Sequence, residues 1–160
     1  QDEAVERLRR CVDFTANLGA AAMVIHPGRA IGRFADVADF IALWRGQCAR
    51  HGRERVLETC AANLRAAGAH AAARGVLIAV ENVDRFEPFG GIADLPHLVE
   101  AAGSPAVGCC LDSGHAHCAG VDPVRWVKTL GDRLFTTHFH DNRGPGGPPG
   151  GPASSSRRRG

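Results

Sequence analysis

Val107–Gly120 reads VGCCLDSGHAHCAG. From Val107 to Leu111 the side chains are apolar or absent, a run too short for a helix and suited to a strand buried on both faces. The run stops on Asp112, and His115 and His117 follow it closely. A carboxylate directly after an apolar strand is costly to bury unless something binds it. The same pattern occurs three more times. Ala22–Ile25 (AMVI) stops at His26-Pro27-Gly28, Val76–Val80 (VLIAV) stops at Glu81-Asn82, and Leu134–Phe139 brings His138, then His140 and Asp141.

Helical patterns fill the gaps. Val5, Leu8, Cys11, Val12, Thr15 and Leu18 recur at helical spacing before Gly19. Val37, Phe40, Ile41, Trp44 and Cys48 mark a second helix, broken near Gly52. A third runs from about Arg53 to Arg74, with Val56, Leu57, Cys60, Leu64 and Ala67 on one face and Gly75 at its end. Ala93–Ala102 reads as a short helix, and Val124–Leu130 as another, with Asp122 as N-cap, Pro123 in the first turn and Gly131 closing it. Apolar strands alternating with helices predict an α/β fold with a parallel sheet covered on both faces, in about four β/α units. No short period marks a repeat array.

In such folds ligands bind at the carboxyl ends of the strands. There the sequence places His26, Glu81, Asp112 with His115, and His138. Mixed carboxylate and imidazole donors suit a divalent metal such as Mn, Zn, Co or Mg. Each residue also has a plainer reading: Glu81 pairing with an arginine, Asp112 capping the turn at Ser113-Gly114, His138 satisfied in the core, His26 shaping a turn before Pro27. Convergence of all four strand ends favours a shared site. His117, Cys118 and His140 are read as solvent-facing or supporting, and His51, His70 and His97 as surface residues. A zinc knuckle from Cys109, Cys110, His115 and Cys118 is disfavoured, because adjacent strand residues point to opposite faces. No phosphate-binding loop is present, and Ser113 lies in D-S-G-H rather than a nucleophile elbow.

The chain has 160 residues, 44% hydrophobic and 22% charged, enough for one globular domain with a core. No stretch approaches the roughly 18 apolar residues of a membrane span, and no signal peptide opens the chain. The six cysteines lie in apolar runs or helical patterns, which predicts buried, reduced thiols and a cytoplasmic protein. Arg157, Arg158 and Arg159 account for more than the whole net charge of +2, so the body has no basic surface suited to nucleic acid. Residues 1–143 form the predicted domain. Residues 144–160 (GPGGPPGGPASSSRRRG) offer nothing to pack and are predicted to be disordered, the product of a frameshift or truncation being one account of them.

These stretches resemble the xylose-isomerase-like TIM barrels, which include sugar-phosphate isomerases and epimerases and the type IV abasic-site endonucleases. The resemblance rests on Asn17–Gly28 (NLGAAAMVIHPG), Val76–Asn82, Val107–Gly120 and Leu134–Asn142 (LFTTHFHDN), and covers roughly residues 1–142. It implies a metal-dependent isomerase or epimerase of a sugar, sugar phosphate or polyol, working by proton transfer next to a carbonyl. Glu81 would be base and metal ligand, Asp112 and His138 further ligands, and His115 and His26 substrate contacts. His138 is chosen over His140 because His138-Phe139-His140-Asp141 fits the family's histidine, two residues, then an acid. In the nuclease branch the same positions hold zinc ions, so a zinc-dependent abasic-site endonuclease is the alternative.

The family barrel has about eight strands and about 250 residues. Its first strands and its last, which carries a second metal-binding glutamate, have no match here. The expectation is therefore a partial (β/α)8 barrel. A third reading follows from it: an inactive, non-enzymatic fragment whose open sheet edges make it aggregate or form homo-oligomers.

Overall fold

The computed structural model describes residues 2–27, 37–83 and 89–142. The order of elements is α1 (Asp2–Asn17), β1 (Ala22–Ile25), α2 (Val37–His51), α3 (Arg53–Arg74), β2 (Leu77–Glu81), α4 (Leu95–Ala102), β3 (Val107–Asp112), α5 (Ser113–Cys118), α6 (Pro123–Leu130) and β4 (Leu134–His138). A single 3-10 turn, Gly131–Arg133, leads into β4. The strands form one sheet in the order β1-β2-β3-β4, and every neighbouring pair is parallel. Parallel neighbours need a crossover, and helices supply each one. The alternation read from the sequence is the observed architecture, a partial (β/α) barrel.

Local signals account for the helix ends. Gly75, at φ 68°, takes the left-handed conformation that closes α3, and its N–H bonds back to Ala71 and Ala72 carbonyls. Asp122 caps α6 as expected, its Oδ1 accepting from the Val124 N–H at 2.9 Å. Several boundaries differ by a residue or two from the sequence reading. The fourth helix starts at Leu95, with Pro96 in its first turn, and the second strand runs one residue later, ending on Glu81 itself. Helix α5 was not anticipated: six residues containing glycine and two histidines carry no apolar period.

The core lies between the sheet and the helices. Ile78, Val80, Val107 and Cys109 point from the strands into a cluster with Leu57, Leu64, Leu98 and Trp126. Burying each large aliphatic side chain contributes about 1.5–3 kcal/mol. The opposite face carries Glu81, Cys110 and Asp112, so the adjacent cysteines do point apart. Leu77, which the apolar run places inside, is 36% exposed. Cys11 also corrects the expectation of buried thiols: it is exposed on α1, whereas Cys109 and Cys110 are fully buried.

Register fixes what the sheet does at its carboxyl edge. Ile25 lies beside Val80, so His26 stands level with Glu81; Asp112 lies beside His138. A register shift between Cys109 and Cys110 realigns β4 against β3 just before that pair. Strands β1 and β4 form the two edges of the described sheet. No helix among the described residues is long and apolar enough to cross a membrane.

Candidate metal centre

The three central residues arrive from three different strands. Glu81 ends β2, Asp112 ends β3 and His138 ends β4. Each offers a ligand atom within 4.8 Å of the other two. Glu81 and Asp112 are buried and His138 is exposed, so the cluster sits at the rim with its carboxylates inward.

Glu81 is surrounded by imidazoles. Its Oε1 lies 3.0 Å from His138 Nδ1 and 3.5 Å from His115 Nδ1, and its Oε2 lies 3.4 Å from His26 Nε2. Burial pushes its carboxyl up, but hydrogen bonds and positive charge from His26 and His138 outweigh that and hold it at about 2. Glu81 is therefore a carboxylate throughout the range in which proteins fold.

Asp112 does two things at once. Its Oδ1 accepts the His115 N–H at 2.8 Å, which caps α5. Its Oδ2 faces His140 Nδ1 at 3.2 Å, and His138 and His115 Nδ1 at 3.9 Å each. The cap is made by one oxygen, which leaves the other facing the imidazoles.

The structure thus assembles all five sequence-selected residues, Glu81, Asp112, His138, His115 and His26. It also adds two. His140, read as solvent-facing or supporting, lies closer to Asp112 Oδ2 than His138 does. Its backbone N–H and carbonyl both bond the Ser113 hydroxyl at 3.3 Å, and a Cβ on Gly114 would collide with its ring. The signal was the two-residue spacing, which puts His138 and His140 on one face of an extended chain. Asn82, fully buried, is the second addition. An amide that follows an apolar strand into the interior must find partners, and this one bonds the Asp112 backbone. His117 and His97 are exposed, as read. His70 instead bridges α3 to Asp13 of α1 at 2.9 Å.

The donor set fits a divalent ion. Among the described residues, the ion-pair partners of Glu81 and Asp112 are all imidazoles. Two buried carboxylates carry the charge that one divalent ion balances when the imidazoles around them serve as neutral donors.

With this geometry in hand, comparison with known proteins decides the family. The chain matches the xylose isomerase-like TIM barrel over residues 1–159. It belongs to that family. An uncharacterized protein, y4fM of Sinorhizobium fredii, is 28% identical to this family member over 144 residues, 90% of this chain and 42% of that protein. The solved structure of a D-tagatose 3-epimerase-like protein superposes with a TM-score of 0.68 at 24% identity, covering 88% of this chain and 49% of that one. The IolI protein with a bound zinc atom gives 0.61 at 19% identity, covering 84% and 42%. Other solved family neighbours include an L-ribulose 3-epimerase and a 3-keto-D-glucoside 4-epimerase. The chain spans a little under half the length of the relatives it matches. The four parallel strands among the described residues are half the number that close a TIM barrel.

Proposed function

We propose that this chain carries the metal-binding part of the active site of a sugar isomerase or epimerase, with a sugar, sugar phosphate or polyol as substrate. The observation that supports this best is the meeting of Glu81, Asp112 and His138 donors within 4.8 Å at the carboxyl edge of a parallel sheet. Membership of a family whose solved neighbours include sugar epimerases supports it further.

Glu81, Asp112 and His138 would hold the ion, drawn from Mn, Zn, Co or Mg. When bound, it supplies Lewis acidity toward substrate oxygens. Glu81 is a carboxylate at neutral pH and buried from water, so it is the base that takes a proton from the carbon next to the substrate carbonyl and returns it. His138 Nδ1 stands 3.0 Å from Glu81 Oε1, so the nitrogen that would face the ion lies directly against that carboxylate. His115 and His26 flank Glu81 with further ring nitrogens, positioned to bond the hydroxyls of a polyhydroxy substrate. Cys110, buried beneath, has its thiol pushed up to about 12, by burial first and then by the charges of Glu81 and Asp112. It stays a neutral thiol and keeps the floor of the site uncharged.

Mn2+ binding to the purified 160-residue chain, followed by electron paramagnetic resonance, tests the reading. One ion per chain is expected, with binding abolished in Asp112→Asn and His138→Ala. No binding would overturn it. Two or three zinc ions per chain would replace it with the abasic-site endonuclease reading.

A further inference from the structure

Asn82 bonds two of the residues from which the site is built, Asp112 through its backbone and His115 through its ring. Its backbone N–H continues the sheet ladder to the Cys110 carbonyl at 3.1 Å. Where the ladder would end, its side chain takes over: Oδ1 accepts the Asp112 N–H at 2.5 Å and Nδ2 donates to the Asp112 carbonyl at 3.0 Å. One amide therefore holds both backbone polar groups of a candidate ligand. Its own carbonyl meets His115 Nδ1 at 3.0 Å.

That last contact fixes a proton. A carbonyl oxygen only accepts, so His115 Nδ1 must carry hydrogen; its other neighbours, Glu81 Oε1 at 3.5 Å and Asp112 Oδ2 at 3.9 Å, are carboxylate oxygens and also accept. In the neutral ring Nε2 is then the bare nitrogen, free to accept a hydroxyl hydrogen.

We propose that Asn82 is a positioning residue: its amide locks the Asp112 backbone so that the carboxylate faces Glu81 and His138, and its carbonyl sets His115 in the Nδ1–H form with Nε2 as acceptor. The first half rests on the metal-centre reading above; the second does not. Asparagine is the side chain that does this. Aspartate is the same shape but cannot donate to the Asp112 carbonyl, and leucine, of similar size, can do neither. A residue that orients a ligand without touching the ion typically changes affinity by about 10- to 100-fold.

The test uses the full chain and two readouts. Asn82→Asp is compared with wild type for Mn2+ affinity, with thermal unfolding measured alongside. The expected result is an affinity loss of about 10- to 100-fold while the melting transition stays cooperative. Unchanged affinity in a folded variant overturns the positioning of Asp112. The second readout is the nitrogen-15 spectrum of His115 in wild-type, metal-free protein, and it stands even if the variant fails to fold. A protonated Nδ1 with a bare Nε2 is expected; the reverse tautomer overturns the proposal. Should wild type bind no Mn2+, the metal-centre reading fails and the tautomer alone decides what Asn82 does.

Discussion

His138 Nδ1 and Glu81 Oε1 lie 3.0 Å apart at the carboxyl edge of the sheet, although 57 positions separate them in the chain. Their strands are not direct neighbours, since β3 runs between them. The contact therefore depends on the twist of the sheet and on the long reach of a glutamate, and Glu81 is where charge and burial are most closely balanced.

The first prediction concerns acid. The Glu81 carboxyl is lowered in the folded chain from 4.5 to about 2. A depressed carboxylate stabilises the fold fully above its unfolded value and stops doing so as pH falls through the folded one. Metal-free wild type should lose stability between pH 4.5 and 2 on this account, and Glu81→Gln should show a flatter acid limb. Urea unfolding in the presence of chelator at several pH values measures it; parallel limbs would refute it.

The second concerns thiols. Burial pushes Cys109 and Cys110 up from 9.0 to about 12. A raised thiol stabilises the fold fully below its unfolded value and loses that contribution as pH rises through the folded one. Stability should therefore fall between pH 9 and 12, and Cys109→Ser should show a shallower alkaline limb at lower overall stability, because its hydroxyl does not ionise there but is buried in an apolar cluster. At pH 8 the exposed Cys11 should react with Ellman's reagent first, with Cys109 and Cys110 reacting only after denaturant is added.

The third isolates one contact. A methyl group at Gly114 would strike the ring at the far end of the exposed His140 side chain, which must swing aside, so Gly114→Ala should cost up to about 1 kcal/mol. In a His140→Ala background the obstacle is gone, and alanine's helix preference inside α5 should make the same change neutral or stabilising by up to about 1 kcal/mol. A double-mutant cycle by chemical denaturation gives the coupling. Additive costs would show that the ring is not the obstacle.

The fourth concerns the metal itself. His138 must be unprotonated to bind an ion, while Glu81 is already ionised. Mn2+ affinity should therefore rise with pH, as protons cease to compete with the ion for the donor nitrogen. Isothermal titration calorimetry at three pH values measures this. An affinity that does not change with pH would refute it.

The strands were legible because each is an apolar run ended by a polar residue, and the site was legible because those polar ends share one chemistry. Glu81 and Asp112 needed only alternation and the strand-end rule, whereas choosing His138 over His140 took the family resemblance. His140 was read as solvent-facing or supporting, and it is both exposed and set against Asp112, a placement past the last apolar run where no burial pattern gives the partner. Asn82 stood in view beside Glu81, but its role depends on the strand that pairs next to it, and register is a property of two segments rather than one. Helix α5 escaped notice because its start is set by Asp112 reaching forward to His115, a capping bond with no hydrophobic period behind it.

Because Glu81, Asp112 and His138 each close a different strand, no short piece of the chain brings any two of them together. An unfolded or half-formed chain cannot bring these three donors together. A cation captured there is a ligand of the native state alone, so its concentration tunes the folding equilibrium by mass action. Raising Mn2+ should lift the melting temperature steadily, making the ion a gauge of how much of the sheet has assembled.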